Sequence, residues 1–474
     1  MTEKEYDMMV IGSGSAVSVL DAWLGSHPNS RGAVIDKDTP GGICLTRGCI
    51  PSKVLMSVAD VVRTIERAPV FGVIVPSPSV DFKAVMDRLR QHIDPEIRSI
   101  EEAYKHATNV DYYRTTAEFV EPYVLRTTTG DTLRSRKILL GLGSAPVIPP
   151  IPGLTEAGFL TSDTVFDLEE RPSRLAILGG GYIAAEFAHF FSAMGSQTTI
   201  IGRNPRFLPQ EDPEISELVT RDLGRRVRFI LGRAPDRVER GAQGTKFVHL
   251  PAGPRGGEER VEADEILVAI GRGPTSRLLH PERGGVEVNA SGWIEVNEYL
   301  ETTQPGVWAL GDATGVYPFK HKANYDAKVI HSAIARGQRI AVDYRAVPHA
   351  VFTEPEVASV GLTEAEAVDR YGSEALRIGR WEFKDTAKGD ALGVTEGLVK
   401  VVVRSAGLEI LGAHIVGPQA SILLQEIVNL LYTPGRNVRP ILDGMHIHPA
   451  LSEVVERAIL NLTPCEHHPL HGPA

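Results

Sequence analysis

Two stretches of the chain share one pattern, a short apolar run that passes through glycines into a predicted helix. Residues 8–11 are apolar and lead into Gly12-Ser13-Gly14 and then a helical stretch through 22–24. Residues 175–178 repeat the pattern, leading into Gly179-Gly180-Gly181 and a predicted helix over 182–194. A buried strand that turns through glycines into a helix is typical of βαβ nucleotide-binding units, so the pattern predicts two of them.

The segments around these units have a regular order. Each unit continues into a second strand, at 32–36 and 198–202, and each half closes on an apolar strand, at 138–144 and 266–272. Between the first pair of strands and the first closing strand, residues 81–107 predict a pair of long helices that covers the first unit. The repeated order supports two similar nucleotide-binding halves.

Proline-containing breaks divide the chain further. Residues 146–153 are too rich in proline to form a helix and predict a stiff linker between the halves, and a second break falls at 347–349. Beyond it the pattern predicts strands at 398–404 and 409–416 and helices at 421–432 and 449–462. The last part of the chain is therefore predicted to be an α+β domain.

Composition narrows the classes of function. The 474 residues carry a formal charge of −10, which argues against a nucleic-acid surface. No run reaches the ~18 to 20 apolar residues that a membrane span needs. The N-terminus leads directly into the first strand and leaves no room for a signal peptide, so we expect a cytoplasmic protein.

The first glycine motif, Gly12-x-Gly14, lacks the third glycine of the full fingerprint, because Val17 stands there. Asp36 at the end of the next strand supplies the acid that hydrogen-bonds a ribose, and the helix N-terminus is placed to receive a pyrophosphate. The alternative is a tight turn in an unrelated α/β fold.

The second motif, Gly179-x-Gly181-x-x-Ala184, has no acid at the ribose position, where Gly202 stands. Arg203 follows it, with Arg206 close by, and arginines in this place can bind a 2′-phosphate. The motif therefore favours NADP(H) over NAD(H). The alternative is that both arginines are solvated surface residues.

A pair of cysteines, Cys44 and Cys49, is the main chemical feature of a chain that has only three. No nearby histidine or further cysteine completes a four-ligand metal set, so no metal site is predicted. The pair precedes a predicted amphipathic helix over 54–67, whose N-terminus would stabilise a thiolate. In a reducing compartment such a pair is more often redox-active than structural.

Residues 41–53, which contain this pair, resemble the active-disulfide signature of the class I pyridine nucleotide-disulfide oxidoreductases. Residues 303–312 are similar to the second FAD motif of that family, and residues 446–453 to its C-terminal His-Pro motif. The resemblance covers essentially the whole chain. It implies FAD and NAD(P)(H) as cofactors and a disulfide or dithiol substrate, with a lipoylated protein among the candidates.

The resemblance also implies the fold class and the domain order. We expect an α/β protein with two Rossmann-like nucleotide-binding domains and a C-terminal α+β dimerisation domain. The predicted bounds are 1–149 with 274–346 for the FAD-binding domain, 150–273 for the NAD(P)-binding domain and 347–474 for the interface domain. The expected assembly is a homodimer whose active site is shared between subunits.

The same resemblance implies a role for each catalytic group. Cys44 would be the interchange thiol that attacks the substrate, and Cys49 the charge-transfer thiol beside the flavin. His448 would be the acid/base for the thiol, oriented by Glu453 and acting in the partner's active site. The residues predicted to bind the two cofactors are Gly12, Gly14, Asp36, Lys53, Gly143, Asp312, His321, Gly179, Gly181, Tyr182, Glu186, Arg203 and Gly271.

Three of these cofactor residues have specific implied tasks. Lys53 would lie near flavin N5, paired with Glu186, and Tyr182 would cover the nicotinamide pocket. The chain departs from the family's usual residues at Val17, Leu142, Ile43, Thr46 and Arg47. For Arg47 two interpretations stay open, a charge that acts on the thiols or on an acidic substrate, and a solvated side chain.

The motifs resemble two different subgroups of the family. Residues 185–195, 12–21 and 319–324 resemble mycothione reductases, whereas 446–453 and 417–427 resemble dihydrolipoamide dehydrogenases. The sequence expectation is a dihydrolipoamide dehydrogenase-like enzyme, with an NADPH-dependent reductase of a low-molecular-weight disulfide as the alternative. A structural or redox-sensing flavoprotein subunit is the alternative from another class. The tail with Cys465, His467, His468 and His471 is expected to be frayed.

Overall fold

The computed structural model describes residues 3–253 and 259–465. In order along the first 146 residues, the elements are β1 (Glu3–Glu5), β2 (Met8–Ile11), α1 (Val17–Ser26), β3 (Gly32–Asp36), α2 (Gly42–Thr46), α3 (Cys49–Arg67), α4 (Phe82–His106), β4 (Val110–Arg114), β5 (Ala117–Glu121), β6 (Val124–Thr127), β7 (Thr132–Arg134), β8 (Ile138–Leu140) and β9 (Ser144–Pro146).

The elements that follow, to residue 274, are α5 (Leu154–Ala157), β10 (Leu160–Thr161), β11 (Arg174–Leu178), α6 (Tyr182–Ala193), β12 (Gln197–Gly202), α7 (Pro213–Leu223), β13 (Arg228–Leu231), β14 (Arg237–Arg240), β15 (Lys246–Leu250), β16 (Glu259–Ala263), β17 (Glu265–Val268) and β18 (Arg272–Pro274). The remaining elements are β19 (Val307–Ala309), α8 (Lys320–Arg336), β20 (His349–Val351), β21 (Val357–Gly361), α9 (Glu364–Tyr371), β22 (Leu376–Glu382), α10 (Ala387–Ala391), β23 (Leu398–Arg404), β24 (Ile410–Val416), α11 (Ala420–Leu431), α12 (Arg439–Asp443), α13 (Glu453–Leu460) and β25 (Thr463–Pro464).

The first glycine motif lies at the centre of a parallel sheet in the order β19-β8-β2-β3-β4. All four residues of β2 are buried, because helices α1 and α8 pack on one face and the β5–β7 ribbons on the other. A strand buried on both faces is continuously apolar, as residues 8–11 are. Strand β19 joins this sheet from far along the chain, so one sheet draws on two separate segments.

The second glycine motif belongs to a second parallel sheet, in the order β10-β17-β11-β12-β13. The C-terminal part forms a six-stranded sheet, β20-β21-β24-β23-β22-β25, whose ladders are all antiparallel, with α11 and α13 packed against it. The predicted fold class, two nucleotide-binding units and a C-terminal α+β domain, is confirmed. The exact domain bounds stay a prediction.

Three predicted helices differ in the structure, and the closing strands predicted at 138–144 and 266–272 end earlier, at Leu140 and Val268. The helix pair expected over 81–107 is one helix, α4, with Pro95 inside it. Pro95 is exposed, whereas Leu89 and Ile93 before it are buried in the same cluster as the apolar face of α3. Ile97 after it also packs against this cluster, so the packed face continues past the proline. Helix α3 begins at Cys49 rather than at residue 54, and α13 covers only Glu453–Leu460.

Candidate active site

The first glycine motif (residues 12–14), the cysteine pair and the start of α6 surround one cavity of about 1210 Å³. It lies between the first glycine loop, the N-terminal ends of α3, α6 and α8, and strand β20. The predicted site residues that line it are Gly12, Gly14, Asp36, Cys44, Cys49, Lys53, Gly143, Tyr182, Glu186, Asp312 and His321. Residues from four distant parts of the sequence therefore meet at one place.

Close packing at the first glycine loop requires glycine at Gly12 in the loop and at Gly42, the first residue of α2. A Cβ on Gly12, at φ +99°, would overlap the carbonyl oxygen of Gly141, and one on Gly42 would lie 2.6 Å from Gly14 Cα. Gly14 itself is open, since a Cβ there would meet only Gly42 Cα, at 3.9 Å. Helix α1 begins at Val17, so its free amides face this open loop, which is the arrangement that binds a pyrophosphate.

The missing third glycine has a local explanation. The tight packing of α1 against the sheet occurs at Ala16, where a Cβ on Gly141 would come within 2.7 Å of the Ala16 Cβ. Val17 is only partly buried and packs on the cluster behind the helix. The departure at Val17 therefore leaves the loop intact.

Two carboxylates lie where hydroxyl groups of a dinucleotide would be bound. Asp36 accepts hydrogen bonds from the Ser13 amide, at 2.7 Å, and from its hydroxyl, at 2.6 Å. Asp312 accepts from the Ser144 hydroxyl at 2.6 Å. The carboxylate at the end of β3, the open glycine loop at a helix N-terminus and Asp312 together fit an FAD.

Lys53 and Glu186 form an ion pair between α3 and α6. The Lys53 ammonium lies 2.8 Å from both Glu186 oxygens and 4.3 Å from the centre of the Phe352 ring. The Phe352 amide also donates to Glu186, at 3.2 Å. Contacts from three segments thus hold one cation at the wall of the cavity.

The cysteines lie on two short consecutive helical segments. Cys44 is inside α2 and Cys49 is the first residue of α3, with Gly48 between the segments. The hydrogen bond with Cys49 lowers the pKa of Cys44 to about 7, and the charge of Lys320 acts in the same direction. The same hydrogen bond, with burial, raises the pKa of Cys49. The first thiolate of the reduced pair therefore forms at Cys44 and is stabilised by the Cys49 thiol.

Arg47 departs from both interpretations given for it. Its guanidinium lies 2.6 Å from Asp38 and 3.1 Å from Asp163, and its side chain is 23% exposed. Asp163 also pairs with Arg272, at 3.0 Å. Two carboxylates, Asp38 shared with Lys37 and Asp163 shared with Arg272, hold the Arg47 guanidinium, so it is neither a free charge beside the thiols nor a solvated side chain. It joins the cysteine loop to the segment that precedes the second unit.

A cluster of aromatic and histidine rings forms another part of the cavity wall. Tyr182 stacks on His349 with centroids 5.3 Å apart, His349 on Phe319 at 5.8 Å, and Phe319 on His321 at 5.3 Å. His321 also contacts the Pro348 carbonyl at 2.8 Å, and burial lowers its pKa. His349 was not predicted from the sequence, because a single histidine outside any motif gives no signal.

The second glycine motif lies just outside this cavity, at the start of α6. A Cβ on Gly179 would overlap the Ala269 carbonyl, whereas Gly181 and Gly271 have no atom within 4 Å of that position. Arg203 is exposed and makes no hydrogen bond or ion pair among the described residues. Arg206 instead donates to the Pro209 carbonyl, at 2.8 Å. Of the two arginines, Arg203 is the one that has no partner among the described residues.

His448 and Glu453 do not line the cavity of their own chain among the residues described. Nδ1 of His448 lies 2.9 Å from Glu453, which also accepts from the Ala450 amide at 3.1 Å. Glu453 is buried, whereas the His448 side chain is 72% exposed. The pair is preformed and directed outward from the chain that carries it.

The C-terminal tail is ordered further than expected. Thr463 and Pro464 form β25 against β22, and the Cys465 amide donates to the Leu376 carbonyl at 3.1 Å. The Cys465 thiol donates to Glu364 at 3.5 Å. The expectation of a frayed tail is therefore wrong as far as Cys465, because strand pairing holds this segment. His467, His468 and His471 lie outside the described residues.

Comparison with known proteins agrees with this geometry. Residues 6–337 match the model of the pyridine nucleotide-disulphide oxidoreductases, and residues 347–459 match the dimerisation domain of the same family. The chain belongs to the pyridine nucleotide-disulphide oxidoreductase family, in its class I branch. Members use FAD and NAD(P)H, and the dimerisation domain supports a homodimer. No helix of the described ranges 3–253 and 259–465 is long and apolar enough to cross a membrane.

Individual relatives cover almost the whole chain. The mycothione reductase of Mycobacterium tuberculosis is 37% identical over 469 residues, which span 96% of this chain and 99% of the relative. The dihydrolipoyl dehydrogenase of Chlamydia pneumoniae is 32% identical over 473 residues, 99% of each chain. Among solved structures, the HOCl-induced flavoprotein disulfide reductase RclA from Escherichia coli superposes with a TM-score of 0.84 at 27% identity, covering 96% of this chain and 100% of that one.

Proposed function

We propose that this protein is an NADPH-dependent flavoprotein that reduces a low-molecular-weight disulfide. The observation that supports the coenzyme choice most directly is the end of β12, where Gly202 offers no carboxylate and the exposed Arg203 has no partner among the described residues. A 2′-phosphate would meet a cation there and no repulsion. The 37% identity to a mycothione reductase supports the same choice. The proposal thus reverses the order of the two sequence expectations, since lipoyl specificity is not confirmed.

The cysteine pair supports thiol–disulfide exchange at neutral pH. When bound, FAD would accept a hydride from the nicotinamide and pass two electrons to the Cys44–Cys49 disulfide. The Cys44 thiolate then attacks one sulfur of the substrate, forming a mixed disulfide and releasing the first thiol, whose proton comes from His448. Cys49 attacks Cys44, the mixed disulfide breaks, and the second thiol leaves. One NADPH and one proton are consumed for each disulfide, which yields two thiols and NADP⁺.

In this proposal the proton partner for the exchange, His448, reaches the cysteines from the other subunit. His448 is oriented by Glu453 but points away from its own cavity. In a homodimer the partner's copy of this pair would complete the site. Glu453 would fix the ring and stabilise its charged form.

A second candidate is a dihydrolipoamide dehydrogenase, favoured by the double histidine at 446–448. His446 is nearly buried, with Nε2 at 3.1 Å from Glu426 and Nδ1 at 3.7 Å from Glu456. These contacts hold the segment that leads to His448. The 32% identity to a dihydrolipoyl dehydrogenase supports this candidate too.

A substrate and coenzyme panel separates the candidates. Turnover is measured with NADPH and NADH on glutathione disulfide, mycothiol disulfide, lipoamide and a lipoylated protein, and in reverse with dihydrolipoamide and NAD⁺. We expect the highest kcat/KM for NADPH with a small disulfide. Dominant dihydrolipoamide oxidation by NAD⁺ would establish the second candidate. If no substrate turns over and anaerobic NADPH gives no long-wavelength charge-transfer absorbance, the protein is a structural or redox-sensing flavoprotein instead.

A further inference from the structure

The cavity continues past the cysteine pair into an outer arm, the part whose wall is formed by α3, α4 and α11. Helices α4 and α11 carry none of the predicted cofactor residues, so no role assigned so far uses their part of the wall. No aspartate or glutamate of these three helices lines the arm among the described residues. The residues that do line it include Val54 and Ser57 of α3, Arg88 and His92 of α4, and Leu424 and Gln425 of α11.

Arg88 is held at this arm by a packed helix. Its neighbours Val85 and Leu89 are buried in the same apolar cluster as α3, which fixes this turn of α4. Arg88 itself is exposed, and its Nη1 lies 3.5 Å from the Val54 carbonyl oxygen. Val54 follows Cys49 by five residues of α3, or about 7.5 Å along the helix axis. A charged group a few bonds from the sulfur of a substrate is therefore within reach of the guanidinium.

The positive charge of Arg88 has no carboxylate partner in residues 3–253 and 259–465. Its contact with the Val54 carbonyl is long for a hydrogen bond, so it holds the guanidinium only weakly. Arg90, two residues further along α4, differs in this respect, because its guanidinium lies 3.1 Å from Asp87. Arg88 thus presents a cation to the arm that the described chain does not neutralise.

Most other cations of the cavity wall are paired. Lys320 has no carboxylate partner either among the described residues, but it donates to the Ser15 hydroxyl at 2.8 Å, beside the first glycine loop. Arg88 lies instead in the outer arm, where no carboxylate opposes it. An arm with this charge favours an anion over a cation. The lysines and arginines of the wall that do pair with carboxylates are Lys37, Arg47, Lys53 and Arg272.

We propose that Arg88 is a specificity-determining residue that binds a carboxylate of the disulfide substrate, so that the enzyme prefers a low-molecular-weight disulfide with anionic halves. The inference rests on the proposed function, because it names the substrate class of the same site. The guanidinium donates charge-assisted hydrogen bonds, in a geometry that matches a carboxylate. Ser57 and His92 add polar groups to the same arm. The exchange at Cys44 is unchanged, since one substrate sulfur joins Cys44 and the other leaves as a thiol.

Three small disulfides that differ mainly in charge test this inference: dithiodipropionate, its neutral diamide, and cystamine. The FAD-loaded homodimer is reduced with dithionite in the absence of pyridine nucleotide and is mixed anaerobically with each disulfide. Loss of the thiolate–flavin charge-transfer absorbance gives a second-order rate constant, which is divided by that of free dithiothreitol with the same disulfide. We expect the dianion to react about tenfold faster than the diamide, the effect of one hydrogen bond to a charged group, and cystamine more slowly than either.

Variants of α4 assign the preference to one side chain. Arg88→Met should abolish the advantage of the dianion and leave the rate with the diamide unchanged, which a folding defect would not do. Arg88→Lys keeps the charge and should keep part of the advantage. The matched control is Arg90→Met, whose guanidinium is paired with Asp87, and it should leave all three rate constants unchanged. Added NaCl should reduce the advantage in the wild type, because salt screens exposed charges.

The outcomes distinguish this inference from the proposed function. Equal normalised rate constants for the dianion and the diamide in the wild type would overturn the role of Arg88. An Arg88→Met variant that slows both disulfides equally would overturn it too, as would the same loss in Arg88→Met and Arg90→Met. If none of the three disulfides oxidises the reduced protein, the proposed function itself fails, and this inference fails with it.

Discussion

Lys320 carries a positive charge that acts on Cys44 from outside the cysteine loop. It is the first residue of α8, it donates to the Ser15 hydroxyl at 2.8 Å, and it lines the cavity. Its charge is one of the causes of the lowered pKa of Cys44. Arg47 is closer in sequence, but its two carboxylate partners leave it without such an effect.

Replacing Lys320 should therefore move the titration of the thiol. In Lys320→Met the thiolate loses a stabilising cation, so the pKa of Cys44 rises from about 7 and the thiolate appears only at higher pH. The measurement is the rate of iodoacetamide alkylation of the reduced protein against pH. Lys384→Met, which removes an exposed lysine paired with Glu382, is the control. An unchanged alkylation midpoint in Lys320→Met would show that the charge of Lys320 does not lower the pKa of Cys44.

Arg203 is the residue whose charge should determine the coenzyme. Arg203→Glu replaces an available cation by a carboxylate and should lower the ratio of NADPH to NADH kcat/KM by about tenfold or more, since a hydrogen bond to a charged group contributes roughly 1.5–3 kcal/mol. The matched control is Arg206→Glu, because Arg206 is committed to the Pro209 carbonyl. If Arg206→Glu shifts the ratio and Arg203→Glu does not, the two roles are exchanged.

At the scale of single residues, the sequence could predict the place of those site residues that belong to motifs. Cys44, Cys49, Lys53 and Glu186 meet in one cavity because each has a fixed place in a glycine loop or at a helix start. The partners of Arg47 could not be predicted, because Asp163 lies more than a hundred residues away and belongs to no motif. The place of His349 in the cavity wall could not be predicted either, because His349 also belongs to no motif.

At the scale of elements, the contact between two glycine loops is what shapes the cavity. The loop before α1 and the first residue of α2 touch at Gly14 and Gly42, and a Cβ on Gly42 would lie only 2.6 Å from Gly14 Cα. The cysteine-bearing segment α2 thereby lies directly against the dinucleotide loop. Close approach of this kind is possible only with glycine.

Gly42→Ala should consequently disturb FAD retention. Its Cβ would lie 2.6 Å from Gly14 Cα, and its φ of +68° disfavours any residue with a side chain. We expect loss of bound FAD and a lower Tm. Gly25→Ala, next to the last residue of α1 with nothing within 4 Å of the new Cβ, should instead lower neither FAD content nor Tm. Wild-type flavin content in Gly42→Ala would show that the loops can separate without consequence.

Element boundaries depended on contacts that the local pattern does not contain. Helix α3 begins at Cys49 because the chain reverses at Gly48 against Ile43, and only the fold shows this. Helix α4 continues through Pro95 because its opposite face stays buried. The buried strands were predictable, since a strand covered on both faces is apolar throughout.

At the scale of the whole molecule, a buried ionic cluster joins the second nucleotide-binding unit to the C-terminal sheet. Asp212 caps α7 and is fully buried, and it pairs with Lys400 of β23 at 2.8 Å. Lys400 also lies 2.7 Å from Glu364. Burial would raise the pKa of Asp212, but the charge of Lys400 keeps the pKa below the ordinary value.

Asp212→Asn should lower the free energy of unfolding and make it less sensitive to acid. Because the folded pKa is depressed, the ionised carboxylate contributes stability above the unfolded pKa of about 4, and this stability is lost as pH falls through the folded pKa. Removing one partner of a buried pair costs roughly 3 kcal/mol. Urea unfolding at pH 7 and at pH 3 to 5 measures both effects. Asp87→Asn, which removes an exposed pair with Lys83, should cost little.

The assembly makes a prediction that no single chain can satisfy. Cys44→Ser and His448→Gln should each abolish disulfide turnover as homodimers, the second while leaving flavin reduction by NADPH fast. Co-expressed with different tags and purified as a mixed dimer, they should regain turnover, because one site then contains both wild-type groups. If the mixed dimer is as inactive as its parents, His448 acts within its own chain or not at all.

The place of Cys465 has a consequence for chemical labelling of the protein. Burial and the neighbouring carboxylate of Glu364 raise the pKa of this thiol to about 11, whereas that of Cys44 is about 7. At neutral pH an electrophile would therefore modify Cys44 long before Cys465. Cys44 can therefore be labelled in preference to Cys465 without any engineered cysteine.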